Sequence, residues 1–130
     1  MPQSTRRADT YTRPRVLLVE DEPLVNAMMQ EILTEAGFAV CSASNGSAAV
    51  NHLLRGEIVD VIFTDIHMPG INGAELAKLA REMRPDIQIV YTSGGVLDST
   101  EKVPGSTFVQ KPYEPGYVCA LLSQVAGRAH

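Results

Sequence analysis

Three carboxylates, two hydroxyls and one lysine in this chain each follow directly on a short apolar run. Val16-Leu17-Leu18-Val19 leads into Glu20-Asp21, and Val61-Ile62-Phe63-Thr64 into Asp65. Ile87-Gln88-Ile89-Val90-Tyr91 leads into Thr92-Ser93, and Thr107-Phe108-Val109-Gln110 into Lys111-Pro112. Carboxylates held close together repel one another and resist ionisation unless a cation joins them. An oxygen-only ligand set suits Mg2+, which takes one or two carboxylates and keeps its other positions for water and phosphate oxygens. Such an ion serves phosphate chemistry by neutralising charge on a transferred phosphoryl group. Lys111 adds a positive point charge and Ser93 or Thr92 a hydroxyl donor. Asp65 is the nucleophile the set implies, because Asp carboxylates form aspartyl phosphates.

Those residues work together only if one scaffold brings the ends of the runs to one place. Apolar runs without polar alternation suit strands buried on both faces, and the stretches between them have helical character, so a parallel sheet with crossover helices is expected. Ligands bind such sheets outside the carboxyl ends of the strands. After Pro23, residues 24–36 carry Leu24, Ala27, Met28, Ile32 and Leu33 at near-helical spacing, and Gly37 is a natural stop. Residues 38–43 read as a second strand, and Asn45 or Ser47 caps a second helix that Gly56 ends. Pro69-Gly70 and Asn72-Gly73 read as turns before a third helix over 74–83, which Pro85 prevents from continuing. Glu114-Pro115 starts the last helix, with Val118, Leu121, Leu122 and Val125 as its buried stripe. The crossover after Ser93 is weak: Gly94-Gly95 and Pro104-Gly105 bracket a short polar middle, so 96–105 is expected to be a loop or a short mobile helix.

With 130 residues the chain can bury one core and is short for two. Residues 1–14 are polar and aperiodic and read as a flexible leader; 15–130 form the folded domain. A net charge of −4 argues against nucleic acid as a partner. No apolar stretch approaches the ~20 residues of a membrane helix and no signal-peptide core is present, so a cytoplasmic protein with no membrane partner is expected. Cys41 and Cys119 lack Cys-x-x-Cys or Cys/His spacing and read as small buried apolar residues; His52 and His130 carry no functional signal. P-loop and dinucleotide-binding glycine patterns are absent.

The set Leu17-Leu18-Val19-Glu20-Asp21-Glu22-Pro23, Asp65-Ile66-His67-Met68-Pro69-Gly70 with Asn72-Gly73, Thr92-Ser93-Gly94 and Lys111-Pro112 resembles the receiver (CheY-like) domain of two-component response regulators. The resemblance extends from Arg15 to Ala126, with the motifs in the family's order. It implies an α/β, doubly wound, flavodoxin-like sheet of five parallel strands in the order 2-1-3-4-5, with helices on both faces and the fourth helix weak or replaced by a loop. It implies Asp65 as phosphoacceptor, Asp21 as direct Mg2+ ligand, Glu20 as a second acid acting partly through water, and His67 as a ligand through its backbone carbonyl. Ser93 takes the place of the switch hydroxyl in preference to Thr92, Lys111 that of the phosphate-binding lysine, and Phe108 that of the aromatic whose rotamer reports phosphorylation. The Lys111-Pro112 bond is expected to be cis.

The function so implied is a stand-alone phosphoacceptor signalling module in a two-component system or phosphorelay, since no output domain follows Ala126. A histidine kinase or histidine phosphotransfer protein would be the donor and an unknown protein the downstream partner. The module would catalyse only its own phosphorylation and dephosphorylation and so is not an enzyme in the usual sense. The alternatives are a small Mg2+-dependent phosphatase or phosphotransferase with an Asp nucleophile, and a receiver-like interaction module that is never phosphorylated. A phosphatase of that kind would carry a second Asp at position 67, where His67 stands, and a substrate-covering cap.

Overall fold

The computed structural model describes residues 13–95 and 100–129. Strands β1 (Arg15–Val19), β2 (Ala39–Ala43), β3 (Val61–Asp65), β4 (Gln88–Ser93) and β5 (Thr107–Gln110) form one parallel sheet in the order β2-β1-β3-β4-β5. The helices are α1 (Pro23–Glu35), α2 (Gly46–Leu54), α3 (Gly73–Met83) and α4 (Pro115–Ala126), the last continued by a 3-10 turn over Gly127–Ala129.

The apolar runs become strands because both faces of the sheet are covered, which removes any need for polar alternation. On one face Leu17, Ile62, Ile89 and Tyr91 pack with Ala49 and Leu53 of α2 and Leu76, Ala77 and Ala80 of α3. On the other, Val16, Leu18, Phe63 and Val90 pack with Met29 and Leu33 of α1 and Val118, Leu122 and Val125 of α4. Pro23 and Pro115 occupy the first turns of α1 and α4, where a missing N–H costs nothing. Asn45, rather than Ser47, caps α2 by accepting from Ala48 N at 2.8 Å. Gly37 and Gly56 end α1 and α2 at φ +103° and +79°, a region that penalises a Cβ.

Between β4 and β5 no helix occurs among the described residues, and residues 96–99 of the expected loop lie outside them. Residues 100–106 are irregular yet tied down. Val103 N donates to the Tyr91 hydroxyl at 3.1 Å, Arg81 Nη1 donates to Pro104 O at 2.7 Å while its Nε donates to Ile87 O at 2.8 Å, and Ser106 Oγ donates to Val103 O at 2.7 Å. Tyr91 and Val103 are both buried in the core shared with α2 and α3.

Candidate functional site

The parallel register delivers the ends of four strands to one edge. Asp65 stands opposite Thr92, while Val19, paired with both Ala43 and Thr64, hands the chain directly to Glu20 and Asp21. Carboxylate oxygens of Glu20, Asp21 and Asp65 all lie within 4.8 Å of one another. Glu20 and Asp65 are buried and Asp21 is exposed.

Glu20 is positioned by backbone and side-chain bonds together. Its N–H donates to Ala43 O at 3.1 Å, continuing the ladder one residue past β1. Asn26 of α1, itself buried, donates from Nδ2 to Glu20 O at 2.9 Å and to Ala43 O at 3.2 Å, tying the helix to both strand ends. Glu22 N donates to Glu20 Oε2 at 3.0 Å. Burial pushes the Glu20 carboxyl above its ordinary pKa; the Glu22 amide and Lys111 pull it down, and the charges of Asp65 and Asp21 push it up.

Lys111 enters from β5. Its Nζ donates to Asp65 Oδ2 at 2.8 Å and lies 3.9 Å from Glu20 Oε1. Its backbone N–H donates to Ser93 O at 2.8 Å, and the Lys111-Pro112 bond is cis, as the sequence leads one to expect. Burial works against its ammonium form, but the hydrogen bond and charge of Asp65, with the charge of Glu20, outweigh that and hold its pKa above the ordinary value. The other Asp65 oxygen, Oδ1, accepts from His67 N at 3.3 Å. His67 is exposed in the turn beyond.

That turn corrects the reading of Asn72-Gly73 as a turn signal alone. Gly73 N donates to Ile66 O at 2.8 Å, and a Cβ on Gly73 would lie 2.4 Å from Asp65 O, so this position admits no side chain. Asn72 caps α3 in a reciprocal box with Glu75, accepting from Glu75 N at 2.9 Å while Glu75 Oε1 accepts from Asn72 N at 3.0 Å. The pair seats α3 against the backbone of Asp65. A glycine directly after an N-cap residue was the available signal, and it read as punctuation.

Strand alternation separates the two hydroxyl candidates. Thr92 shares a face with Val90, its Oγ1 sealed from solvent and without a hydrogen-bond partner among the described residues. Ser93 follows at the strand end, one residue past the partner of Asp65, and its Oγ accepts from Gly95 N at 3.1 Å. Phe108 stands apart from the acids: it is half-buried against the α2/α3 core, with Lys102 Nζ 5.2 Å from its ring centroid. Thus Glu20, Asp21, Asp65 and Lys111 form one cluster, with the Ser93 backbone joined to that of Lys111.

Residues 16–122 match the response regulator receiver domain family. The chemotaxis protein CheY of Thermotoga maritima is 30% identical over 117 residues, covering 86% of this chain and 97% of that protein. The response regulator receiver protein CpdR of Brucella abortus is 36% identical over 80 residues, 62% of this chain and 66% of CpdR. The transcriptional regulator TorR of Escherichia coli, 31% identical, is matched over only 44% of its length. Among solved structures, a response regulator receiver protein from Sinorhizobium medicae superposes with a TM-score of 0.84 at 30% identity, over 91% of this chain and 98% of that one. The receiver domain of the hybrid histidine kinase CckA superposes with a TM-score of 0.76 at 28% identity, over 86% and 98%. With the strand order, the acid cluster and the strand-end lysine already in place, this chain belongs to the response regulator receiver domain family of two-component signalling modules.

Proposed function

We propose that Asp65 is the phosphoacceptor of this module and that a histidine kinase or a histidine phosphotransfer protein is the donor. In that transfer an Asp65 carboxylate oxygen forms the new O–P bond as the donor's N–P bond breaks, and the departing imidazole takes up a proton. The observation that carries the reading is the Lys111 ammonium 2.8 Å from Asp65 Oδ2, a cation already placed beside the carboxylate that would bear the dianionic phosphoryl group.

Clustered oxygen donors, one of them with its pKa raised by burial, fit a hard divalent cation. Glu20, Asp21 and Asp65, with the backbone carbonyl of His67, would hold Mg2+, which when bound supplies neutralisation of phosphoryl charge. The chain's own groups do the rest: Lys111 pairs with a phosphoryl oxygen, and the Ser93 hydroxyl leaves the Gly95 amide to donate to another. The residues after Ser93, and Phe108 beside Tyr91, then change the face offered to a downstream protein. The module acts on itself alone, in the cytoplasm, with residues 15–130 as the working unit; among the described residues no helix is long and apolar enough to cross a membrane. A phosphatase reading would need an acid at position 67, where His67 stands. Intact mass after incubation with a small phosphodonor and Mg2+ tests the proposal: one added phosphoryl group supports it, and an unchanged mass opposes it.

A further inference from the structure

On the edge strand, outside the acid cluster, three groups of different chemistry converge. Donor atoms of Cys41 on β2, His52 on α2 and Glu57 in the loop to β3 all lie within 4.8 Å of one another. We infer that Cys41, His52 and Glu57 form a binding site for a thiophilic divalent cation of the zinc type, with an open fourth position for water.

The arrangement resembles a metal site loaded with protons. His52 Nδ1 and Glu57 Oε1 are 2.7 Å apart, and two lone-pair atoms approach so closely only with a cation between them, here a proton. Cys41 Sγ lies within 4.8 Å of the same imidazole and the same carboxylate. One carboxylate thus stands against both a thiol and an imidazole, and Zn2+ takes thiolate, imidazole and carboxylate together in place of protons.

The surroundings fit ligation independently of those protons. The far ring nitrogen, His52 Nε2, lies 3.2 Å from the backbone oxygen of Ser42. A metal-bound histidine regularly donates its other N–H to such a carbonyl, which fixes the tautomer with Nδ1 facing the metal. Arg84, the residue after α3, ties the end of α2 to the loop by donating to Leu53 O at 2.9 Å and to Glu57 O, so the Glu57 backbone is held by a residue outside the ligand set. Cys41 and Glu57 line an open groove with Arg15, Gly56 and Ile58, which gives an ion and a water access. Arg55 Nε donates to Glu57 Oε2 at 3.2 Å, but its side chain is largely exposed and can leave as the cation arrives.

Cobalt(II) titration of the full chain in excess Mg2+ tests the inference, because a cobalt thiolate has a charge-transfer absorption that carboxylate ligation lacks. The expected result is one equivalent of Co2+ giving that band and Zn2+ abolishing it competitively. Cys119→Ser should leave the band intact and Cys41→Ser, or Cys41→Ala should the serine variant not fold, should remove it. His52→Ala and Glu57→Gln should each weaken binding by more than the roughly 10–100-fold that loss of an outer partner costs. Circular dichroism of each variant confirms that it is folded. No thiolate band at saturating Co2+, a band that survives loss of Cys41, or undiminished affinity in folded His52→Ala and Glu57→Gln would overturn the site.

Discussion

Lys111 Nζ is bonded to Asp65 at 2.8 Å and stops 3.9 Å short of Glu20, so one cation is shared unequally between two buried carboxylates. The more distant acid is left undercompensated. Its raised pKa follows from that burial, and the pH dependence of stability follows from the raised pKa.

Glu20 binds its proton more tightly folded than unfolded, so the folded state gains from protonation. Without divalent cations, stability should therefore fall as the pH rises from about the ordinary value of 4.5 toward the higher folded value, and stay lower above it. Glu20→Gln should remove that decline and leave the metal-free protein more stable than wild type at neutral pH. Urea unfolding of both proteins across that range checks the sign; a wild-type stability that rises through it would contradict the role given to Glu20.

Gly73 should tolerate no side chain. The added Cβ of Gly73→Ala meets the Asp65 carbonyl at 2.4 Å, so either α3 or the end of β3 must move. A loss of about 2 kcal/mol or more is expected, together with slower phosphorylation of the protein that remains folded. Denaturant unfolding that matched wild type would show that the turn yields more easily than its geometry implies.

The neighbouring hydroxyls should behave in opposite ways. Thr92→Val replaces a buried hydroxyl that has no partner among the described residues by a methyl of similar shape, and should be neutral or stabilising by up to about 1 kcal/mol. Ser93→Ala should still accept a phosphoryl group yet lose the change in partner binding or amide exchange that follows it. Should Thr92→Val lose that response and Ser93→Ala keep it, the switch hydroxyl has been placed one residue late.

Tyr91→Phe should loosen the β4–β5 connection without touching the acids. It deprives the buried Val103 N–H of its acceptor, at a cost of about 1–3 kcal/mol. Amide exchange at 100–106 should accelerate while phosphorylation persists; unchanged exchange would mean that Arg81 and Ser106 suffice to hold the segment.

What could be read in the sequence is what depends on local pattern. Apolar runs ending in Glu20-Asp21, Asp65, Thr92-Ser93 and Lys111 announced both the parallel sheet and its chemically useful edge, because a strand buried on two faces shows as an uninterrupted run. That no helix occurs among the described residues of the β4–β5 connection was legible too, since a segment bracketed by Gly94-Gly95 and Pro104-Gly105 offers no helical stripe. Features that depend on tertiary approach were not. Gly73 matters because the Asp65 carbonyl passes beside it, and nothing in its neighbours says so. The Tyr91 hydroxyl finds Val103, and His52 finds Glu57 and Ser42, only once loops have folded back onto the sheet. Cys41, read as a small apolar residue, is half-buried beside that carboxylate.

If Asp65 is the phosphoacceptor, the modified residue can be located chemically. The most direct measurement is borohydride trapping after incubation with a small phosphodonor and Mg2+, which reduces an acyl phosphate to the alcohol and marks the modified aspartate in peptide mass spectra. The mark should fall on the peptide containing Asp65, require Mg2+ and vanish in Asp65→Asn. A mark on Glu20 or Asp21 in the wild-type protein would rule out Asp65 as the phosphoacceptor, and one that persists undiminished in chelator would rule out the Mg2+ requirement.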